Sequence, residues 1–223
     1  MKKVTVRVPA TTANLGPGFD AFGCALSLYT DVTFEETDRG LEITGCDEAY
    51  TGPDNLAYTA YCAVLASLSE EVRGIKIHID AQIPIGRGLG SSAALLVAGA
   101  IGANVLRGSK LSTQGLLNIT NAMEGHPDNL APAFLGGLTA SMVDNGLPVT
   151  VNFPLHPDWE ILALVMFRRP WVLSLLPRST LAPIAPATSS AAEEPRPRQT
   201  GIFASMWILI PRSSSLMVAS AAQ

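Results

Sequence analysis

The chain has 223 residues, 48% of them hydrophobic, with a formal net charge of −4. That length can enclose a substantial core in one large domain or two small ones. The apolar content excludes a chain disordered throughout, and the acidic balance argues against a nucleic-acid partner. Three cysteines, Cys24, Cys46 and Cys62, are odd in number and lack metal-ligand spacing, which fits a reduced, cytoplasmic setting. The Met1-Lys2-Lys3 start leads into no apolar leader, and no apolar run is long enough to span a membrane, so no membrane partner is expected.

In chain order, Val4, Val6 and Val8 alternate with Thr5 and Arg7, which predicts a half-buried strand ending at Pro9. Ala10 to Asp20 is rich in turn formers. It reads either as a ligand-contacting loop or as an ordinary wide turn. Ala25 to Phe34 and Leu41 to Ile43 read as strands around an Asp38-Arg39-Gly40 turn. Asp54 or Asn55 can cap a helix running to about Leu68, with Ala57, Tyr61, Val64, Leu65 and Leu68 on its apolar face. Ile75, Ile77 and Ile79 alternate with Lys76, His78 and Asp80, giving a strand whose polar face carries a solvated His78.

That strand feeds the stretch Pro84-Ile85-Gly86-Arg87-Gly88-Leu89-Gly90-Ser91-Ser92-Ala93-Ala94. Glycine at every second position lets backbone N–H groups approach a ligand closely. The start of the following helix adds free N–H groups and the positive end of its dipole, both suited to phosphate. Serine there can cap the helix or stand beside a phosphate-bound Mg²⁺. The other reading is a Gly-rich turn with a serine cap and no ligand. Ala93 to Leu106 is apolar nearly all round and predicts a buried helix. A second helix is predicted from Thr113 to Met123.

Glu124-Gly125-His126-Pro127-Asp128-Asn129 forms another polar cluster. Asp128 can cap a short helix reaching Phe134 and closed by Gly136-Gly137. Alternatively, carboxylates at the end of one helix and the start of the next can hold Mg²⁺ or act as a base. Leu138 to Val143 and Val149 to Phe153 predict a hairpin around Asp144-Asn145-Gly146, and Ile161 to Val165 a further strand. The composition then changes. From Met166 to Gln223 there is no Asp, Asn, Lys or Tyr, every cation is Arg, and Pro and Ser are dense. A GC-rich gene read out of frame gives such a tail; a disordered extension is the other reading.

Taken together, the clusters resemble the GHMP family of small-molecule kinases. The family's Pro-x-x-x-Gly-Leu-Gly-Ser-Ser-Ala motif matches Pro84, Gly88, Leu89, Gly90, Ser91, Ser92 and Ala93. Within the family, Val8 to Asp20 and Glu124 to Pro132 are similar to the homoserine kinase branch; the resemblance covers roughly Lys3 to Val165. It implies an α+β fold in which 1–148 form an ATP-binding lobe like the second domain of ribosomal protein S5. Residues 149–165 would begin a ferredoxin-like second lobe, left incomplete by an irregular tail over 166–223. It implies ATP and Mg²⁺, phosphorylation of the side-chain hydroxyl of L-homoserine in threonine biosynthesis, and a possible homodimer. By matching positions, residues 84–94 would hold ATP, Ser92 and Glu124 would hold Mg²⁺, and Asn14, Asp20, His126 and Asn129 would line the substrate site. Asp128 occupies the place of a base in related mevalonate kinases. The arginines and late Gly-rich loop that the resemblance implies downstream are not found in 166–223. A mevalonate-type kinase and a non-catalytic nucleotide-binding remnant are the alternatives. Sequencing the gene around codon 166 tests the tail. Another frame is expected to encode a Gly-rich loop and arginines, and a tail confirmed as written and as protease-resistant as the first part overturns the frameshift.

Overall fold

The computed structural model describes residues 2–153, 159–164, 206–211 and 217–220. It is an α+β arrangement built around one long strand. β1 (Lys3–Leu15) and β2 (Gly18–Thr37) form an antiparallel hairpin through a tight turn at Gly16-Pro17. The far edge of β2 is shared: residues 30–37 pair with β4 (Gly74–Ala81), and Phe22 to Cys24 pair with β5 (Leu138–Asp144). β3 (Leu41–Thr44) lies parallel to β4, and β6 (Leu147–Phe153) pairs with β5. The 145–146 turn therefore closes a hairpin belonging to this first sheet. β7 (Trp159–Leu164), β8 (Met206–Pro211) and β9 (Met217–Ser220) form a separate three-stranded antiparallel sheet. β8 and β9 fall within 166–223, the stretch expected to be irregular. Apart from β7, β8 and β9, the residues from 154 onward, with most of the expected second lobe and tail, lie outside the described residues.

Alternation decides which face of the first sheet is packed. Val6, Val8, Val32, Phe34, Ile75, Ile77 and Ile79 are buried. Between them, Thr5 bonds Thr33 at 2.8 Å, Arg7 grips Asp31 through two bonds of 2.8 and 2.7 Å, and exposed His78 meets Thr44 at 3.0 Å. One face is dry and the other wet, as antiparallel sheets allow. The strand expected to end at Pro9 continues to Leu15. Pro9 lies at a register shift in the edge strand β1, where its missing N–H removes no ladder bond that the sheet requires.

Four helices cover the dry face: α1 (Leu56–Ser67), α2 (Ser91–Leu106), α3 (Thr113–Glu124) and α4 (Leu130–Leu135). Asn55, rather than Asp54, caps α1 by accepting the Ala57 N–H at 2.9 Å. α2 packs against α1, α3, α4 and the β1–β2 hairpin, which is why it can be apolar around its circumference. Glycines make that fit possible. A Cβ at Gly99 would lie 2.1 Å from the Ala57 carbonyl of α1, and one at Gly102 would lie 2.6 Å from the Phe34 ring. Phe34 in turn stacks on Tyr61 with ring centroids 5.8 Å apart. Asn104 ties the exit of α2 to the next segment, donating to the Leu111 carbonyl and accepting the Leu111 N–H, both at 2.9 Å.

The β5–β6 hairpin inverts the usual pattern. Thr139 and Ser141 are buried, while Met142, Val149, Val151 and Phe153 share the opposite, exposed face. Among the described residues, no helix is long and apolar enough to cross a membrane.

Two helical glycines should respond oppositely to alanine. Gly99→Ala forces a Cβ onto backbone and is expected to cost about 2–3 kcal/mol. Gly115→Ala meets no atom closer than 3.6 Å. It is expected to stabilise by about 0.5–1 kcal/mol through helix propensity. Urea unfolding of both variants checks the pair.

Candidate functional site

Three polar clusters far apart in sequence meet where the sheet, the start of α2 and the end of α3 converge. The strand-to-helix loop comes first. Gly86, Gly88 and Gly90 have φ of 65°, 68° and 66°, a left-handed run that side-chain-bearing residues rarely adopt. Gly90 is the N-cap of α2 and offers no side-chain cap, so neither Ser91 nor Ser92 caps the helix as the sequence allowed. The first intrahelical bond runs from the Ala94 N–H to the Gly90 carbonyl at 2.9 Å. The N–H groups of Ser91, Ser92 and Ala93 therefore lie ahead of the helical ladder. In the loop, Pro84 is half-buried, Ile85 is exposed and Leu89 is buried, while the Arg87 guanidinium reaches the Gly86 carbonyl at 3.3 Å.

The loop is fastened to β1. The Thr11 N–H donates to the Leu89 carbonyl at 3.1 Å, so the loop covers part of the free edge of that strand. The fully buried Thr11 hydroxyl donates to Asn129 Oδ1 at 2.9 Å. A Cβ at Gly90 would sit 2.0 Å from that hydroxyl oxygen, so only glycine fits beneath it.

The second junction joins helix ends. Ser92, on the first turn of α2, donates its hydroxyl to Glu124 Oε2 at 2.9 Å; Glu124 is the last residue of α3. α3 stops there because Gly125 adopts φ 94°, a left-handed C-cap. Among the described residues, no group of three or more His, Cys, Asp or Glu side chains could hold a metal. A hydroxyl and a carboxylate oxygen are nevertheless hard donors of the kind Mg²⁺ takes, and here they are hydrogen-bonded to each other at 2.9 Å. The pair suits Mg²⁺, which keeps waters and phosphate oxygens for most of its shell.

The third junction is the 126–129 loop. Asp128 is 1% exposed, and its Oδ1 accepts the Asn129 N–H at 2.9 Å and lies 2.7 Å from His126 Nδ1. The expected Asp128 cap of α4 is thus displaced by one residue. Asn129 is the N-cap of α4 without a side-chain cap bond, and Asp128 instead braces the loop through the Asn129 N–H. The loop is pressed onto β2: a Cβ at Gly23 would lie 1.8 Å from the Asp128 carbonyl oxygen and 3.0 Å from the Pro132 ring. Gly23 is paired across the hairpin with Ala13, one residue from Asn14. Asn14 and Asp20 are joined directly, Asn14 Oδ1 accepting the Asp20 N–H at 2.8 Å, and both hold left-handed backbones with φ of 59° and 53°. Such strained non-glycine residues collect at functional sites.

Cys24, the neighbour of Gly23, has its thiol pushed up to about 11 by burial. It therefore stays neutral and acts as an apolar filler rather than a nucleophile. Sequence reasoning took Thr11 and Thr12 only as part of the Ala10 to Asp20 stretch and singled out neither Gly23 nor Asn121. Thr11 and Thr12 are fully buried polar residues, and among the described residues Thr12 Oγ1 and Asn121 Oδ1 have no hydrogen-bond partner. In the sequence, the two threonines stand where the Val4-Val6-Val8 alternation breaks down, and nothing local marks which of them bonds to Asn129.

Comparison with known proteins is consistent across levels. Residues 55–137 match the family model described as GHMP kinases N terminal domain. The chain is 46% identical over 142 residues to a homoserine kinase from Clostridium botulinum, covering 64% of this chain and 48% of that protein. It thus spans about half the length of the curated relatives it matches. The crystal structure of a homoserine kinase from Cytophaga hutchinsonii superposes with a TM-score of 0.64 at 29% identity, over 81% of this chain and 62% of that one. A Methanococcus jannaschii mevalonate kinase structure, at 16% identity and a TM-score of 0.57 over 75% of this chain and 63% of that one, shares the fold alone.

The Gly23 contact can be tested directly. Gly23→Ala sets a Cβ against a backbone carbonyl that no rotamer change can move. It is expected to cost about 2–3 kcal/mol in urea unfolding and to shift the backbone amide resonances of His126 to Asn129 more than those of α1.

Proposed function

We propose that this chain, which carries a GHMP kinase N-terminal domain, is built to transfer the γ-phosphoryl group of ATP to the side-chain hydroxyl of L-homoserine, giving O-phospho-L-homoserine for threonine biosynthesis. The observation that carries the reading is the Ser92–Glu124 contact. It brings the N-terminus of a buried helix and a carboxylate to one point, directly after the glycine loop.

Phosphoryl transfer needs positioning and charge neutralisation more than covalent chemistry. Backbone N–H groups of residues 84–94 and the start of α2 receive the triphosphate, and burial of the helix strengthens their pull on an anion. Ser92 and Glu124 would hold Mg²⁺, which when bound would supply positive charge to neutralise the phosphate oxygens. The Ser92 hydroxyl would offer that ion a lone pair, since the bond it makes to Glu124 uses only its proton.

Asn14, Asp20, His126 and Asn129 line the acceptor side. The Asp20 carboxylate suits an ammonium group, and an asparagine amide suits a hydroxyl. Asp128 holds His126 and the Asn129 backbone in place through one oxygen. In a loose transition state the acceptor proton need not leave early, so Asp128 serves as a brace without being required as a base. The homoserine-kinase-like sequence favours homoserine over mevalonate as acceptor. The mevalonate kinase likeness extends only to the fold.

ADP release measured with L-homoserine, with mevalonate and with no acceptor tests the proposal. Homoserine-dependent release is expected; release independent of acceptor, or none, overturns it. Glu124→Ala is expected to lower kcat on the order of 100-fold or more, the scale for losing one charge-stabilising contact. Its Tm is expected to stay close to that of the parent chain, because the Ser92–Glu124 bond is only half-buried.

A further inference from the structure

The geometry points to Thr11 as a positioning residue that fixes the orientation of the Asn129 side-chain amide, and with it the hydrogen-bonding polarity that the acceptor loop presents. The inference rests on the kinase reading for its kinetic consequence but not for its structural content.

Thr11 makes two bonds that point to different parts of the site. Its backbone N–H goes to the Leu89 carbonyl, in the phosphate loop, at 3.1 Å. Its hydroxyl goes to Asn129 Oδ1, in the 126–129 loop, at 2.9 Å. The side chain is fully buried. It lies over Gly90 so closely that a Cβ there would be 2.0 Å from the hydroxyl oxygen and 3.1 Å from Asn129 Oδ1. A threonine has little χ1 freedom, and with the space below it closed its hydroxyl is held in one place.

A hydroxyl can donate or accept, an amide oxygen only accepts, and here the Thr11 hydroxyl is the donor to Oδ1. The bond therefore commits Asn129 Oδ1 to Thr11 and leaves the two Nδ2 protons for another partner. The Asn129 backbone is fixed separately, its N–H on Asp128 Oδ1 at 2.9 Å. With both ends determined, the side chain meets an incoming ligand as a donor, suited to the lone pair of a hydroxyl or phosphoryl oxygen. Without the Thr11 hydroxyl, the amide can turn over and present its carbonyl instead. The fault would fall on the acceptor side, because the backbone bond to Leu89 that holds the phosphate loop survives any side-chain substitution.

The test compares Thr11→Val, nearly isosteric but without the hydroxyl, with Thr11→Ser, which keeps it. The first readout is the Asn129 side-chain amide pair in ¹H–¹⁵N spectra, assigned through its loss in Asn129→Asp. Thr11→Val is expected to shift or broaden that pair and Thr11→Ser to restore it. The second readout is kinetic. Thr11→Val is expected to lower kcat/KM for L-homoserine about tenfold, the scale of one buried hydrogen bond, with KM for ATP unchanged, and Thr11→Ser to recover most of the loss. An Asn129 amide pair in Thr11→Val identical to that of the parent overturns the inference. So does a parallel rise in both KM values, which is what general loosening of the site produces. If the parent chain shows no acceptor-dependent ADP release, the kinase reading fails, and the spectra alone decide the role of Thr11. Should Thr11→Val not fold, Thr11→Cys, with its weak thiol donor, is read in the same two ways.

Discussion

Close approach of α2 to its neighbours is the constraint on which the rest of the structure depends. A helix apolar on every side must be enclosed, and here two glycines set how closely. Gly99 lies against the α1 backbone at Ala57, and Gly102 lies under the ring of Phe34 in the central strand. With the body of α2 seated there, its first turn has no freedom of position. It ends beneath the glycine loop and beside Glu124, and the loop in turn covers the exposed edge of β1. The core thus acts on the site by fixing where the N–H groups of Ser91, Ser92 and Ala93 point.

The polar clusters are joined by few bonds, each of which connects segments distant in sequence. Ser92–Glu124 joins two helix ends, and Thr11–Asn129 joins a strand to a loop 118 residues away. The Asp128 carbonyl rests on Gly23, and Gly23 faces Ala13 beside Asn14. Small residues are needed at the crossing points because backbone meets backbone there. The polar groups are needed because the loops between them carry few buried apolar side chains. Rigidity at the site comes from this combination, and the strained backbones of Asn14 and Asp20 persist only because the surrounding structure holds them.

The hairpin β5–β6 carries a different feature of the chain. Its helix-facing side is polar and satisfied, with Thr139 donating to the Gly23 carbonyl at 3.3 Å and Ser141 bonded to Thr150 at 3.0 Å. Its other side presents Met142, Val149, Val151 and Phe153 to solvent. An apolar sheet face of this kind is normally one half of a two-layer contact. The chain spans about half the length of its curated relatives.

Much of the architecture follows from local rules legible in the residues. Period-two alternation at Val4 to Val8 and Ile75 to Ile79, the all-apolar Ala93 to Leu106, Asn55 before a helical pattern and Asp144-Asn145-Gly146 between strands all leave periodic or turn-specific traces. So does the glycine loop, because only glycine takes its backbone angles without strain. Only the tertiary structure decided which helix end meets which carboxylate and that Asn129, not Asp128, begins α4. It alone decided that Thr11 is a buried donor and Gly23 a contact point. These facts depend on pairings across tens of residues, and no local pattern encodes such a pairing. A threonine in a strand looks the same in sequence whether it faces water or holds an asparagine in place. What separates the two cases is the packing of α2 and α4 against that strand, which exists only once the chain has folded.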